Sequence, residues 1–442
     1  MPTTFRPYAP DQDLLLPASL REWLPEDHLA YFLSEVVEEL DLSAFYAPYE
    51  GDGRRKQPYE PSMMLKVLLY AYVSGVYSSR AIARKLNEDV AFRVLAAGNF
   101  PSHRTICAFR KRHLADFKAL FVQVVQIARA AGLVSLGRVA VDGTKVRANA
   151  SKHKAMSYGR LQEEERRLGE EITAMCAAAE VADAEEDARF GADRRGDELP
   201  EELAQRQARR QTIRAAKARL EAEQRARDSA RGRHKDDDRR PPGGRGPSYT
   251  RDFGEPAPKA QSNFTDPDSR IMATSEGYQQ CYNGQLAVDG DFQLIVANTL
   301  TANASDQGML LGVLNGVDAA LQAQPQCVLA DAGYRSEADL QALESRAIDA
   351  YVALGREGKK GARVDAERHP ATARMADKLA TADGRHRYGE RKHLVEAVNG
   401  WIKHVMGFRR FSLRGRDAVA GEWDLVCLAA NLRRMRPLLA FE

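Results

Sequence analysis

The spacing of hydrophobic positions changes along the chain, and each change predicts a different kind of element. The first part has helical spacing, in which Leu29, Phe32, Val36 and Leu40 recur at steps of three and four. Helical patterns, with serine and proline start signals in the first two, predict further helices over residues 61–75, 77–86 and 117–131. We therefore expect an all-helical N-terminal domain over residues 1–115.

Runs typical of strands follow these helices. Residues 137–146 alternate Val139 and Val141 and then break at Gly143. Later segments alternate in type, with strands over 277–289, 292–300, 327–331 and 348–354 and helices over 306–321 and 336–345. This order predicts an α/β fold with a mixed sheet, in which functional sites gather where strands end.

A charged segment interrupts the strands. Residues 151–258 contain opposite charges spaced four apart, which predicts exposed helices in a hairpin or coiled coil. The last part of this insertion, residues 232–258, has low complexity and is expected to be a linker. The core of the fold therefore begins in residues 116–150. It resumes in residues 259–442, which also hold an irregular basic linker over 355–384 and basic C-terminal helices.

Composition narrows the class of protein. The chain has 442 residues, a net charge of +3 and five cysteines. The cysteines are scattered without a CxxC pair, which argues against a zinc site or a disulfide framework and fits a reducing cytosol. The first residues do not resemble a signal peptide, and no run is long and apolar enough for a membrane span. We therefore expect a cytoplasmic protein.

Three acidic residues stand at positions that an acid does not usually occupy. Asp142 and Asp331 close apolar strands, although strands disfavour Asp, and Glu396 borders the apolar face of a helix over residues 388–405. A turn cap or a solvated helix face is the simpler explanation for each acid alone. If the first and fourth strands are neighbours, however, the three carboxylates meet, and they repel one another unless a cation is bound. Oxygen ligands suit Mg²⁺ or Mn²⁺, and two such ions serve in-line phosphodiester displacement.

Two other acids are weaker candidates. Glu390 lies near the first turn of the last helix, where an acid favours the helix dipole. Asp306 opens a predicted helix and is better explained as its N-cap than as a ligand.

Basic residues suggest a polyanionic partner. Lys392 and Lys403 flank Glu396 at helical spacing, and residues 407–416 interleave Arg409 and Arg410 with aromatic residues. A second basic group surrounds Phe109 in the helical domain and comprises Arg104, Arg110, Lys111 and Arg112. Such clusters are typical of phosphate contacts, although a solvated face has the same composition. The helices over residues 61–86 fit a helix-turn-helix arrangement and a plain bundle about equally well.

Together these residues resemble a known family. Asp142-Gly-Thr, Asp331-Ala-Gly-Tyr334 and a last helix with Tyr388, Arg391, Glu396 and Lys403 are similar to the DDE transposases of bacterial insertion sequences. The likeness is to the branch with a Tyr-Arg-Glu-Lys signature, and it extends over nearly all of the chain outside the charged insertion. The signature's usual three-residue gap before Glu fits Lys392 better than Arg391, so both bases are candidates for the phosphate contact.

The resemblance implies a fold, an activity and partners. It implies a ribonuclease H-like core in which Asp142, Asp331 and Glu396 form a catalytic triad that binds two Mg²⁺ or Mn²⁺ ions. Tyr388, Arg391 or Lys392, and Lys403 would contact the DNA end. The implied partners are double-stranded DNA, as terminal repeats and target, and a second copy of the chain on that DNA, in the bacterial nucleoid. The alternatives are a metal-dependent endonuclease that does not join strands and a catalytically silent DNA-binding derivative.

Overall fold

The computed structural model describes residues 19–50, 57–190, 201–235, 249–355 and 365–439. For residues 21, 178–190 and 201 only the backbone is described. The N-terminal residues 1–18, part of the predicted loop (51–56) and parts of the two predicted linkers (236–248 and 356–364) lie outside the described residues.

The N-terminal part is helical, as predicted. Its helices are α1 (Leu29–Glu38), α2 (Ser43–Tyr46), α3 (Pro61–Val73), α4 (Ser79–Glu88), α5 (Val90–Leu95), α6 (His103–Arg112) and α7 (Asp116–Ala130). Pro61 occupies the first turn of α3, and Ser102 caps α6 by accepting a hydrogen bond from Thr105 N at 3.3 Å. Within this part, α2, α5 and α6 were not predicted as separate helices, and α2 and α5 are too short to display a helical period.

A mixed sheet follows in the chain and confirms the predicted α/β class. The strands are β1 (Arg138–Arg147), β2 (Ala155–Ser157), β3 (Gln261–Asn263), β4 (Arg270–Thr274), β5 (Gly277–Asp289), β6 (Ile295–Thr301), β7 (Cys327–Ala330) and β8 (Asp349–Val352). In the described residues, six of them form one sheet in the order β4-β5-β1-β7-β8, with β6 also paired to β5. The pairs β1–β7 and β7–β8 are parallel, and the other pairs of this sheet are antiparallel.

The neighbourhood of β1 and β7 is the one that we predicted, but Asp142 does not end its strand. β1 continues to Arg147 by antiparallel pairing with β5. Only the pairing with β7 stops earlier, because Val141 and Ala330 are its last partners. Asp142 is therefore the first residue of β1 that no longer has β7 beside it.

The charged insertion forms a helical hairpin. Its helices are α8 (Tyr158–Phe190) and α9 (Glu201–Ala230), and the small β2–β3 sheet lies at their base. The hairpin has a small apolar cluster of its own, made of Tyr158, Leu161, Leu168, Ile213, Ala216 and Leu220. An ion pair between Arg219 and Asp268, and another between Arg270 and Glu223 at 2.5 Å, fix it to the chain beside β4.

The remaining helices are α10 (Leu310–Leu321), α11 (Glu337–Ser345), α12 (Pro370–Ala380), α13 (Ala382–Arg391), α14 (Ala397–Gly400) and α15 (Arg416–Leu439). π-helical segments at Lys392–Glu396 and Trp401–Val405 flank α14, so residues 382–405 form one continuous helical rod. We name residues 382–405 the signature helix. The predicted irregular linker over 355–384 is partly wrong, because α12 and the start of α13 lie within it.

One apolar core joins the N-terminal helices to the sheet. α15 passes through its centre, and Trp423 of this helix is fully buried. The indole lies so close to β5 that a Cβ on Gly284 would be 2.6 Å from it, so this strand position requires glycine. In the described part of the chain, no helix is long and apolar enough to cross a membrane.

Candidate active site

The carboxylates of Asp142 and Asp331 lie at the sheet edge where β1 and β7 cease to pair. Each aspartate directly follows the last residue of its strand in the β1–β7 pairing. Asp142 Oδ1 accepts a hydrogen bond from Gly143 N at 2.9 Å, and Asp331 Oδ1 accepts one from Gly333 N at 2.8 Å. Both acids line one cavity of about 410 Å³. The structure therefore brings these two predicted residues together.

A third carboxylate, that of Asp306, lines the same cavity, and it is not the N-cap that we predicted. α10 begins only at Leu310, and Asp306 lies in the loop before it. Asp306 Oδ1 accepts hydrogen bonds from Asn283 Nδ2 at 2.7 Å and from Gln285 Nε2 at 2.6 Å. The sequence contains a signal for this contact. Asn283 and Gln285 are polar, lie in a buried strand and are two positions apart, so their side chains face the same side.

Two glycines leave room for these acids. A Cβ on Gly333 would lie 2.9 Å from Asp331 Oδ1 and 3.1 Å from Asp306 Oδ2. A Cβ on Gly143 would overlap Asp306 Oδ1. Only glycine permits such a close approach of backbone and carboxylates, which explains the glycines one residue after Asp142 and two residues after Asp331.

The surroundings of Asp142 disfavour its charged form. Burial raises the pKa of Asp142 to about 6, and the carboxylates of Asp331 and Asp306 act in the same direction. The Arg391 guanidinium and the Gly143 N–H oppose this rise. A cation bound near these carboxylates would remove the penalty, because an opposite charge favours the ionised form.

Three residues of the signature helix approach Asp142. Asn399 Nδ2 donates a hydrogen bond to Asp142 Oδ2 at 3.2 Å, and the Arg391 guanidinium lies 3.9 Å from Asp142 Oδ1. Lys403 lines the cavity, and burial lowers the pKa of its ammonium group although Asp142 opposes that shift. Arg391 is 8% exposed and also lies 5.9 Å from the Tyr388 ring.

Glu396, the predicted third acid, is not among the residues that line the cavity. It is exposed and lies in the π-helical segment Lys392–Glu396, as does the exposed Lys392. A π turn contains one more residue than an α turn, so it shifts the phase of the side chains that follow. Glu396 and Lys392 are therefore exposed, whereas Asn399 and Lys403, which α-helical spacing would put on the same side as Glu396, approach Asp142.

The rival acid Glu390 is engaged elsewhere. Its carboxylate forms an ion pair with Arg138, at the start of β1, at 2.9 Å. This contact supports the judgement that Glu390 is not a ligand of the cavity.

Basic side chains surround the acids. The cavity lining includes Lys145, Arg147, Lys403, His404 and Arg409. Arg409 is held by its hydrogen bond to Lys403 O at 3.0 Å, and the exposed Arg410 donates to Asn149 Oδ1 at 2.9 Å. The aromatic residues between these bases, Phe408 and Phe411, both belong to the core. The basic run is therefore anchored by its aromatic residues and presents its arginines beside the acidic cavity.

The predicted basic group of the N-terminal helices is divided by the structure. Arg104, Lys111 and Arg112 are exposed and stay candidates for phosphate contact. Arg110 is 4% exposed, and its guanidinium donates to Tyr72 Oη at 3.1 Å and to Tyr77 O at 2.7 Å. This placement corrects the prediction of a DNA contact for Arg110, because its position on α6 puts it on the buried face beside Phe109.

Two families match the chain. The family described as "Transposase domain (DUF772)" matches residues 18–112, and the family described as "Transposase DDE domain" matches residues 256–432. The chain belongs to the DDE transposases of insertion sequences. The second match covers Asp331 and the signature helix, and the mixed sheet agrees with the ribonuclease H-like core of that family. The predicted DDE transposase family and the predicted fold class are thus confirmed, while the branch with the Tyr-Arg-Glu-Lys signature stays a prediction.

Other comparisons add no relative. No curated protein and no solved structure matches the chain. In the part of the chain that the structure describes, no group of three or more His, Cys, Asp or Glu side chains is placed to hold a metal ion. The roles of individual residues therefore rest on the geometry of the cavity.

Proposed function

We propose that this DDE transposase binds the terminal inverted repeats of its element and catalyses metal-dependent cleavage and transfer of DNA strands. The proposal rests on one observation above all: Asp142 and Asp331 lie in one cavity at the edge of the sheet, and that cavity has a basic rim. Carboxylates bind divalent cations, and the basic residues around them bind a polyanion such as DNA.

The cavity residues fit a divalent cation. Asp142 and Asp331 offer carboxylate oxygens, the ligand type that Mg²⁺ and Mn²⁺ prefer. Asn399 Oδ1 is buried and has no hydrogen-bond partner among the described residues, although its amide nitrogen donates to Asp142. When bound, two such ions would activate the attacking oxygen of a phosphodiester displacement and stabilise the leaving oxygen.

The basic residues of the site would hold the DNA end. We assign Arg391 rather than Lys392 to the phosphate contact, because the Arg391 guanidinium lies 3.9 Å from Asp142 Oδ1, whereas Lys392 is exposed; neither side chain is among those that line the cavity. The π turn after Arg391 absorbs the extra residue that separates this chain from the signature spacing. Lys403, Tyr388, Arg409 and Arg410 complete the proposed surface for the DNA end, and Arg104, Lys111 and Arg112 are proposed to contact DNA further away.

Glu396 is retained as the third acid of the proposed triad. It is exposed on the helix that carries Asn399, so it needs a change in helical phase to reach the two aspartates. The π segment that contains Glu396 is the natural place for such a change, since conversion to an α turn rotates the side chains on it. DNA and cation together would supply the driving force.

The reaction also implies an assembly. Synapsis of two element ends needs two active sites, so we propose that two copies of the chain act together on DNA. Such an assembly would lie at the bacterial nucleoid, where its substrate is.

A strand-transfer assay with pre-cleaved terminal DNA tests this function against its alternatives. The wild type with Mg²⁺ is expected to join the terminal 3′ end to target DNA. An endonuclease would cleave intact ends and give no joined product, whereas a silent derivative would bind the ends and do neither. Inverted repeats that flank the gene supply the substrate, and the exposed Asp318 of α10 provides a control variant, Asp318→Asn.

A further inference from the structure

The third acid of the cavity, Asp306, has a setting that a simple loop carboxylate does not need. Its Oδ1 is held by two amide donors, Asn283 Nδ2 and Gln285 Nε2, both projecting from β5. Gln285 in turn accepts a hydrogen bond from the hydroxyl of Tyr334, three residues after Asp331. The carboxylate is therefore fixed in place by β5, the strand paired with β1, and β5 is itself tied by Tyr334 to the segment that follows Asp331.

The free oxygen of Asp306 faces Asp331. Asp306 Oδ2 and Asp331 Oδ1 lie 3.1 Å and 2.9 Å from a single point, the position that a Cβ on Gly333 would occupy. Asp306 Oδ1 closely approaches the bare face of Gly143, the neighbour of Asp142. Both glycines therefore serve to admit Asp306, and the arrangement places three negative charges around one space.

The side-chain oxygen of Asn283 is a buried hydrogen-bond acceptor close to Asp306. Asn283 is 1% exposed, and its Oδ1 has no hydrogen-bond partner among the described residues. This oxygen lies 2.9 Å from the position of a Cβ on Gly143, on the side where Asp306 is found. A buried acceptor without a donor has an unmet need for a hydrogen-bond donor or a cation.

We infer that Asp306 is a further cation-binding residue of this site, which acts on a divalent ion held by Asp142 and Asp331 through a water molecule. Mg²⁺ keeps several waters and takes only one or two carboxylates directly, which leaves a role for an acid in the second layer. The two amides on Oδ1 leave Oδ2 to accept from such a water. This inference rests on the proposed function, because it assumes that Asp142 and Asp331 hold the ion.

The test is calorimetric titration of the full chain with Mn²⁺, without DNA. Asp306→Asn removes the charge, while its amide oxygen still accepts from Asn283 and Gln285. We expect about a tenfold or greater loss of Mn²⁺ affinity, as for other outer-layer partners of metal ligands. The control Asp318→Asn removes an exposed acid of α10 and is expected to bind Mn²⁺ like the wild type.

Thermal unfolding in EDTA separates this role from a structural one. Asp306→Asn relieves repulsion among the three carboxylates, so its melting temperature without cation is expected to equal or exceed that of the wild type. A lower melting temperature together with unchanged Mn²⁺ affinity would overturn the inference and make Asp306 a structural residue. Asp306→Ser provides the same comparison if the Asn variant does not fold.

A parallel titration of Asp142→Asn distinguishes failure of the inference about Asp306 from failure of the proposed function. If this variant loses Mn²⁺ and Asp306→Asn does not, only the inference about Asp306 fails. If the wild type itself takes up no Mn²⁺ that depends on Asp142, the proposed catalytic site fails.

Discussion

The amide of Asn399 donates a hydrogen bond to the Asp142 carboxylate at 3.2 Å, across the boundary between the signature helix and the sheet. The Arg391 guanidinium lies 3.9 Å from the other oxygen of the same carboxylate. The helix is thus docked on the first strand-end acid by an amide and a cation, while Glu396 is exposed. This contact between helix and sheet determines which basic residues of the signature helix lie near Asp142 and the cavity.

Replacement of Arg391 is expected to be more damaging than replacement of Lys392. Arg391→Gln removes a buried charge beside Asp142, whereas Lys392→Gln changes an exposed residue. Hydrogen bonds to charged groups contribute about 1.5–3 kcal/mol, so a roughly tenfold to hundredfold loss in terminal-DNA cleavage is expected for Arg391→Gln alone. Cleavage rates of both variants on one terminal substrate provide the measurement. A larger loss for Lys392→Gln would contradict our assignment of the phosphate contact.

Lys403 is expected to act as a phosphate contact. Lys403→Ala should weaken binding of terminal DNA and lower the slope of log K against log salt by about 0.9, the effect of one lost counterion release. Fluorescence anisotropy titrations at several salt concentrations measure this slope. An unchanged slope with weaker binding would mean that Lys403 acts through packing or through Asp142 instead.

Substitutions of Arg110 and Arg104 are expected to change different properties, the stability of the fold for Arg110 and the affinity for DNA for Arg104. Arg110→Ala leaves buried polar groups at Tyr72 and Tyr77 without their donor, and loss of one partner from a buried charged network costs about 3–5 kcal/mol. Arg104→Ala changes an exposed residue of the same helix and should affect only the affinity for DNA. Urea denaturation of both variants gives the two free energies of unfolding. Equal values would place Arg110 at the surface, against the structure.

The contrast between these arginines shows what the sequence could not predict. The helical domain predicted over residues 1–115 includes α6, but a cluster of four bases does not reveal which of them turns inward, because burial depends on the neighbouring α3 and α4. Asp306 illustrates the same limit. Local signals suggested a helix cap, while its actual role depends on β5, which is adjacent in space and not in sequence.

The strand-end acids were predictable for the opposite reason. Each follows an apolar run in the local sequence, and the parallel pairing of β1 and β7 then brings Asp142 and Asp331 together. The phase of the signature helix was not predictable in this way. A π turn leaves no hydrophobic period of its own, so α-helical spacing placed Glu396 on the same side of the helix as Lys403, whereas the structure leaves Glu396 exposed.

Glu337 is expected to make α12 sensitive to acid. Burial acts to raise its pKa, but the Thr372 hydroxyl and the N–H groups of Ala371 and Thr372 lower the pKa of Glu337 to about 2. Because the pKa lies below its value in the unfolded chain, this stabilisation is complete above about pH 4.5 and is lost as the pH falls towards 2.

Glu337→Gln tests this dependence. The variant should be less stable than the wild type by about 1 kcal/mol at pH 7, a loss typical of a helix cap. Thermal unfolding from pH 7 to pH 3 should show that the difference in melting temperature shrinks below about pH 4.5. A difference that is constant across this range would show that the carboxylate charge has no part in capping α12.

Cleavage of terminal DNA by Asp331→Asn tests the central claim most directly. Asn keeps the size of the side chain and the hydrogen bond from Gly333 N, but it removes the charge that would hold the cation. With Mg²⁺, we expect cleavage to fall by at least about a thousandfold, while the affinity for terminal DNA and the melting temperature in EDTA stay near those of the wild type and of Asp318→Asn. Cleavage at the wild-type rate by a folded, DNA-bound Asp331→Asn protein would contradict the assignment of this cavity as the active site.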